Sequence, residues 1–227
     1  MPDELSTAGD DTIVEPMAET PLSRHQERVL ELVATIILAA ATVGTAWSGY
    51  QATRWNGVQA ADYVTASGLR VESTKSSTLA GQNRLFDSQV FSQWLNAYHT
   101  GDASLAAIYE RRFRTEFRPA FQAWLATDPF HSTSAPPGPL YMPEYVSADA
   151  ARSEDLEKQA TAMFEAGQQA NETGDQYVLN TVFLASALFL AGIAGRFEWR
   201  AARIAILVTS AAALGVGILN MIRLPVN

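Results

Sequence analysis

Hydrophobic residues are concentrated in three windows of this chain that contain almost no charge. Residues 29–50 contain only Glu31, residues 177–195 contain no charged residue, and residues 201–222 contain only Arg203. Each window is about 20 residues long, the length of helix that crosses the hydrocarbon core of a bilayer. The predicted transmembrane helices are 28–50, 176–195 and 201–222.

Between the first two windows the pattern changes to that of water-exposed helices. Apolar residues in 82–99 recur three and four positions apart, as on one face of an amphipathic helix. A helix is expected over 103–127, with Asp102 as its N-cap and a kink or restart near Arg118, because Pro119 interrupts the pattern. The apolar positions of this helix include Phe113, Phe117, Phe121 and Trp124.

Five prolines in residues 128–146 predict a linker that no helix can run through. A polar helix is expected over 149–175, continuing into the second apolar window. The first transmembrane helix is expected to extend beyond Gln51, with weak points at its glycines. These weak points are Gly57, Gly68 and Gly81.

The predicted fold is an all-α membrane protein. Three transmembrane helices carry an extramembrane helical bundle, of about four helices, that forms between helices one and two. The segments flanking the transmembrane helices are a disordered acidic tail (1–27), the bundle (51–175), a hairpin (196–200) and a short C-terminal tail (223–227).

Arginines near the membrane ends predict the orientation of the chain. Five of them lie on the side of the N-terminus and the hairpin, and two lie on the other side. The N-terminus is therefore expected in the cytoplasm and residues 51–175 outside it, in a multi-pass protein of the cell (inner) membrane that contacts lipid.

Composition excludes several classes of function. The net charge of −8 includes no basic domain that could neutralise phosphates, so no nucleic-acid partner is expected. The chain has no cysteine, which excludes disulfides and thiolate chemistry. Its three histidines have no metal-ligand spacing, and no catalytic motif appears. We expect no enzyme activity, no metal and no cofactor.

Two alternatives explain an arginine-rich stretch at 110–118. Arg111, Arg114 and Arg118 are spaced to share one helical face, where they could bind a small anion. Alternatively the charges pair within the helix, Glu110 with Arg114 and Arg112 with Glu116. The second alternative is the more ordinary one.

Small residues recur at every fourth position of the transmembrane windows, a pattern that lets helix backbones pack closely. Such faces could serve packing within the chain or between copies of it. The residues concerned are Ala40, Gly44 and Ser48 in the first helix, Ala187, Ala191 and Gly195 in the second, and Ala213 and Gly217 in the third.

Residues 46–55 (AWSGYQATRW) and 112–121 (RFRTEFRPAF) resemble a group of bacterial membrane proteins without an assigned activity. The resemblance implies a bacterial membrane protein and transfers no site residue. The predicted topology is similar to that of receptors with four-helix-bundle sensor domains, although here the second predicted transmembrane helix leads into a hairpin and a third transmembrane helix, where those receptors continue into a cytoplasmic signalling domain.

Three functions are consistent with these patterns. The leading prediction is a scaffold or accessory subunit whose bundle binds another protein or another copy of the chain. The alternatives are an extracytoplasmic small-anion sensor that signals through a partner, and a homo-oligomeric channel.

Overall fold

Helices make up the architecture of this protein. The structure, a computed structural model, describes residues 21–227, and no β-strand occurs within them. The helices are α1 (Pro21–His99), α2 (Ala103–Arg111), α3 (Arg118–Leu125), α4 (Ala148–Ala194) and α5 (Arg200–Arg223), with a 3₁₀ turn at Pro139–Tyr141. The all-α prediction is confirmed for this part of the chain.

Three of these helices, α1, α4 and α5, are long and apolar enough to cross a membrane. They contain the three windows predicted above except for Gly195, the last residue of the second, and their presence indicates a membrane protein. The chain divides into two compact units. We call residues 21–52 with 175–227 the terminal unit, and residues 53–174 the central unit.

Helix α1 begins earlier than expected and has no break. It starts at Pro21, so residues 21–27, which the sequence suggested to be part of the tail, are helical. Residues 1–20, the rest of the predicted tail, lie outside the described residues. The three glycines predicted as weak points do not interrupt the helix.

The predicted helix 103–127 is two helices. Helix α2 ends at Arg111, and α3 begins at Arg118 with Pro119 in its first turn, as expected for a restart. Asp102 is the N-cap of α2, where its carboxylate accepts the N–H of Leu105 at 3.0 Å. Before it, Gly101 has a φ of +77°, a left-handed conformation that suits glycine at the end of a helix.

An aromatic core fills the central unit. Nine buried residues form it, supplied by α1, α2, the α2–α3 connection and α3. The rings meet edge to face, for example Trp94 with Phe121 at 4.7 Å and Phe113 with Phe117 at 4.9 Å between centroids. The core consists of Val90, Phe91, Trp94, Ala97, Ala106, Phe113, Phe117, Phe121 and Trp124.

The proline-rich segment packs against this core. The indole Nε1 of Trp124 donates a hydrogen bond to the carbonyl of Pro136 at 2.8 Å. Pro139 is buried, and Leu140 and Met142 contact the core. These contacts hold the segment against the core as a strap.

Candidate functional site

A buried carboxylate joins three segments of the central unit. Asp87 of α1 is 1% exposed. Its Oδ2 accepts hydrogen bonds from Arg114 Nη1 at 3.1 Å and from the hydroxyl of Tyr145 at 3.0 Å. Arg114 lies in the α2–α3 connection and Tyr145 at the end of the proline-rich segment. Asp87 therefore fastens both connections to α1.

Burial dominates the electrostatics of this cluster. It raises the pKa of Asp87 above its usual value, even though the bonds from Tyr145 and Arg114 act to lower it. Burial and the neighbouring Asp87 carboxylate raise the pKa of Tyr145 to about 12. The second oxygen of Asp87, Oδ1, is buried without a hydrogen-bond partner. This arrangement supports an anchoring role, because no nucleophile or proton acceptor adjoins the acid within the described contacts.

The three arginines of the sequence prediction do not share a helical face. Arg111 ends α2, Arg114 lies in the connection and Arg118 begins α3, so the helical spacing assumed for them does not apply. The guanidinium of Arg118 donates to the backbone carbonyls of Phe113 (3.2 Å) and Arg111 (3.3 Å).

The ion pairs of this stretch also differ from those predicted. Arg114 pairs with Asp87 and with Glu116, rather than with Glu110. The reason is the break after α2, which removes the i,i+4 geometry that Glu110–Arg114 and Arg112–Glu116 pairs need.

Two of the arginines still line one cavity. A cavity of about 340 Å³ is bordered by Arg111, Arg118, Glu110, Phe113 and Gln122, among others, and Arg114 is not among its lining residues. The exposed Arg111 is the cation most available to a ligand, since Arg118 already bonds two carbonyls. Glu110 would oppose an anion in the same cavity.

Potential metal-ligating side chains do not cluster in the described part of the chain. No group of three or more histidine, aspartate or glutamate side chains that could hold a metal ion occurs among residues the structure describes. His131 Nδ1 lies 2.8 Å from Asp128 Oδ1, but both side chains are exposed. A single exposed pair of this kind does not constitute a binding site.

The outer face of α1 in the central unit is apolar and exposed. Five positions spaced by seven residues lie on it, and its three large side chains are 74%, 70% and 72% exposed at Val64, Val71 and Leu85. Gly57 and Thr78 complete the row, which we call the α1 row. At about 100° per residue, the row lies roughly 160° from the buried positions Ala66, Ser73 and Asp87 of the same helix.

Most charged residues of α1 near this row turn toward the chain's own elements. Arg70 pairs with Glu157, and Glu72 pairs with Arg152, both across to α4. The guanidinium of Arg84 lies 5.8 Å from the ring of Tyr145. Lys75 is the charged residue of α1 that borders the middle of the row.

Helix α4 of the central unit is charged on its exposed positions, in contrast to α1. A charged outer face is the normal condition of a helix in water, because it keeps the protein soluble without a partner. The α1 row departs from this pattern, because none of its five positions is charged. The exposed charged residues of α4 are Arg152, Glu154, Asp155, Glu157, Lys158, Glu165 and Glu172.

In the terminal unit one large side chain packs between two glycines. A methyl group added to Gly217 would lie 2.5 Å from Leu184 Cδ2, and one added to Gly44 would lie 3.2 Å from Leu184 Cδ1. Two hydrogen bonds cross between helices beside it. Asn180 Nδ2 donates to Ser48 Oγ at 2.9 Å, and Ser210 Oγ donates to the carbonyl of Ala187 at 2.7 Å.

The small residues predicted to pack between helices are buried to different degrees. Gly44, Ser48, Ala187, Ala191 and Gly217 are buried, Ala40 and Ala213 are half-buried, and Gly195 is exposed beyond the end of α4. Burial follows alternating steps of three and four, through Ala41 and Ala194. A strict spacing of four drifts by about 40° per step around a helix, so Ala40 falls off the buried face, whereas Gly195 lies outside the helix.

Sequence reasoning missed several residues of these sites. Asp87 and Tyr145 lie far apart in sequence, and a lone acid in an apolar stretch was the only signal for the first. Leu184 looks like any other leucine of a predicted transmembrane window.

No protein family, curated protein or solved structure matches this chain.

Proposed function

We propose that this chain is a multi-pass inner-membrane protein that acts as a scaffold or accessory subunit by binding protein through its central unit. In this proposal α1, α4 and α5 span the membrane, the N-terminus is cytoplasmic and the central unit is an extracytoplasmic helical bundle. The arginine asymmetry and the three apolar helices support the topology.

The observation that carries the proposal is the α1 row. Val64, Val71 and Leu85 are the most exposed large hydrophobic residues of the central unit, and they lie on one face of one helix. In an aqueous compartment, highly exposed apolar side chains aligned on one face of a helix mark a surface that another molecule covers. The anchoring role of Asp87 leaves that acid unsuited to catalysis, and the scaffold function needs no reactive group.

The test is complex formation by the full-length protein in mild detergent, measured as particle mass. We expect a mass above that of one chain, and we expect Val71→Glu to reduce it to the monomer. Lys158→Glu is the matched control, since it places the same acid at an exposed position of α4. A monomer in detergent and in lipid nanodiscs, with no bound protein, would contradict the proposal.

Orientation has its own test, because the chain lacks cysteine and single cysteines can be introduced. A cysteine replacing Ser132 should react with an impermeant thiol reagent on intact cells, and one replacing Ser6 should not. The opposite pattern of labelling would reverse the topology.

The cavity beside Arg111 favours a second candidate function, sensing of a small anion. Its volume of about 340 Å³ suits an ion such as phosphate or a short dicarboxylate. This candidate predicts that millimolar phosphate or succinate raises the melting temperature of the full-length protein. Arg111→Ala should abolish that rise, whereas Arg112→Ala, which changes a neighbouring exposed arginine, should not.

A further inference from the structure

We infer that the partner covering the α1 row is a second copy of this chain, paired with the first as two parallel α1 helices in register. The inference rests on the proposed function, because copies inserted into one membrane with one orientation present their α1 helices in the same direction. Identical positions of the row then face each other.

The spacing of the row points to a helix as the occupant. Its members, Gly57, Val64, Val71, Thr78 and Leu85, recur every seven residues, the period at which two helices keep one seam in contact along their length. From Gly57 to Leu85 the row extends about 42 Å at 1.5 Å per residue.

The same count continues backward along the sequence of α1. It falls on Val29, Ile36, Val43 and Tyr50, each of which is exposed in the terminal unit. Apolar residues are expected to be exposed there in any membrane helix, so these positions alone carry no argument. None of these four positions is charged.

The charges around the row are compatible with a copy of the same chain. The chain carries a net charge of −8, which opposes self-association in general. The acids of α1 beside the row are turned away, however. Glu72 pairs with Arg152, Asp87 is buried, and Asp62 is half-buried with its Cβ near Gly167. Two copies of the row can meet without bringing acids together, and Lys75, four residues after Val71, takes a flanking position at which paired helices often carry lysine.

The area available indicates that the pairing depends on the membrane. A strip about 42 Å long on a helix about 10 Å wide gives roughly 400 Å² per copy, or roughly 800 Å² for the pair. Stable complexes in solution bury about 1,200–2,000 Å². Confinement of both copies to one bilayer raises their effective concentration and favours association through a smaller contact.

Cysteine crosslinking in native membranes tests the arrangement directly. Disulfides need Cα atoms about 4.4–6.8 Å apart, which residues facing each other across the seam would provide. We expect Val64→Cys and Val71→Cys to form disulfide-linked dimers under a mild oxidant. Thr65→Cys, one residue off the row, and Glu165→Cys, on the outer face of α4, should give several-fold less dimer.

A charge-swap experiment separates a second copy from a different protein. Val71→Glu and Val71→Lys should each abolish the dimer when expressed alone, because like charges then meet across the seam. Coexpression of the two variants with different tags should restore a mixed dimer. Val71 is largely exposed, so neither variant should disturb folding.

The outcomes are distinguishable. A mixed dimer together with row-specific crosslinking supports the inference. Equal crosslinking at the row and at Glu165→Cys, or no rescue by the swapped pair, overturns it. If the row instead holds a different protein whose binding Val71→Glu abolishes, the inference fails and the proposed function stands. A monomer without any partner contradicts both.

Discussion

The central and terminal units hold their helices together by different means. The central unit buries a cluster of aromatic rings, and six of its nine core residues are Phe or Trp from α1, the α2–α3 connection and α3. The terminal unit packs small residues around Leu184 and adds hydrogen bonds between helices. Each means suits a different solvent.

The difference follows from what drives helices together in water and in lipid. In water, removing apolar rings from solvent is favourable, and each large buried side chain contributes about 1.5–3 kcal/mol. In lipid that drive is absent, so close approach of small residues and hydrogen bonds between helices take over. The packing of the terminal unit is therefore of the kind that helices use in lipid, and that of the central unit is of the kind that water favours.

The largest expected effect removes a ring from the aromatic core. Phe117 is completely buried, so Phe117→Ala should lower the free energy of unfolding of the central unit by about 3–5 kcal/mol. Tryptophan fluorescence during denaturation of the full-length protein measures it, since Trp94 and Trp124 lie in the core. Phe86→Ala is the control at a half-exposed position of α1, and equal losses for both would contradict a ring-based core.

The next effect tests the buried carboxylate. Tyr145→Phe removes a hydrogen bond to Asp87, and we expect a loss of about 1.5–3 kcal/mol, the range for bonds to charged groups. Tyr141→Phe changes an exposed tyrosine of the same segment and should have almost no effect. Limited proteolysis of the proline-rich segment provides a second measurement. Cleavage should be faster in the Tyr145→Phe variant and unchanged in the Tyr141→Phe variant.

Adding one methyl group tests close packing in the terminal unit. Gly217→Ala places a carbon against Leu184 and should destabilise the helices by about 1–3 kcal/mol, the usual cost of overpacking. Gly215→Ala, two residues away on α5, meets open space. Thermal unfolding of both variants in detergent should separate them, and similar melting temperatures would refute the packing argument.

A smaller effect distinguishes two glycines of the central unit. A methyl group on Gly167 would lie 2.6 Å from the ring of Tyr63, which stacks on Phe164 at 5.1 Å. Gly167→Ala should therefore lose stability despite the gain of about 1 kcal/mol that alanine brings to a helix. Gly81→Ala meets no neighbour and should gain up to that amount. Opposite signs in the two melting-temperature shifts are the expected result.

The smallest effect is a dependence of stability on pH. Because burial raises the pKa of Asp87, the folded state binds this proton more tightly than the unfolded state does. The unfolding free energy should rise as the pH falls through the raised pKa toward the ordinary value of 3.8 and should level off below it. Asp87→Asn, which cannot ionise, should remove this component from the pH profile, and an unchanged profile would argue against a raised pKa.

Local sequence pattern was sufficient to predict the helices and the all-α fold class. The charge-free windows identified three helices long enough to span a membrane, Asp102 was recognised as a cap, and Pro119 indicated the restart of α3. Each of these features depends on neighbours within about one or two helical turns, so the sequence contains the relevant information directly.

Contacts between distant segments could not be predicted from local sequence pattern. The phenylalanines at 113, 117 and 121 looked like one helical stripe, but the helix breaks between α2 and α3, and all three rings enter the core from different local conformations. The same break redirects Arg114 to Asp87, which lies 27 residues earlier in the chain. Helical spacing cannot anticipate a partner on another element.

The sequence by itself determined that this chain is helical, that three of its helices suit a membrane, and that small residues would mediate their packing. Tertiary structure alone decided which small residues are buried, because the buried face follows steps of three and four around Leu184 rather than a fixed spacing. It also decided that Asp87 is an anchor and that the α1 row is exposed. Burial depends on what packs against a face, and that is a property of the folded chain rather than of any one segment.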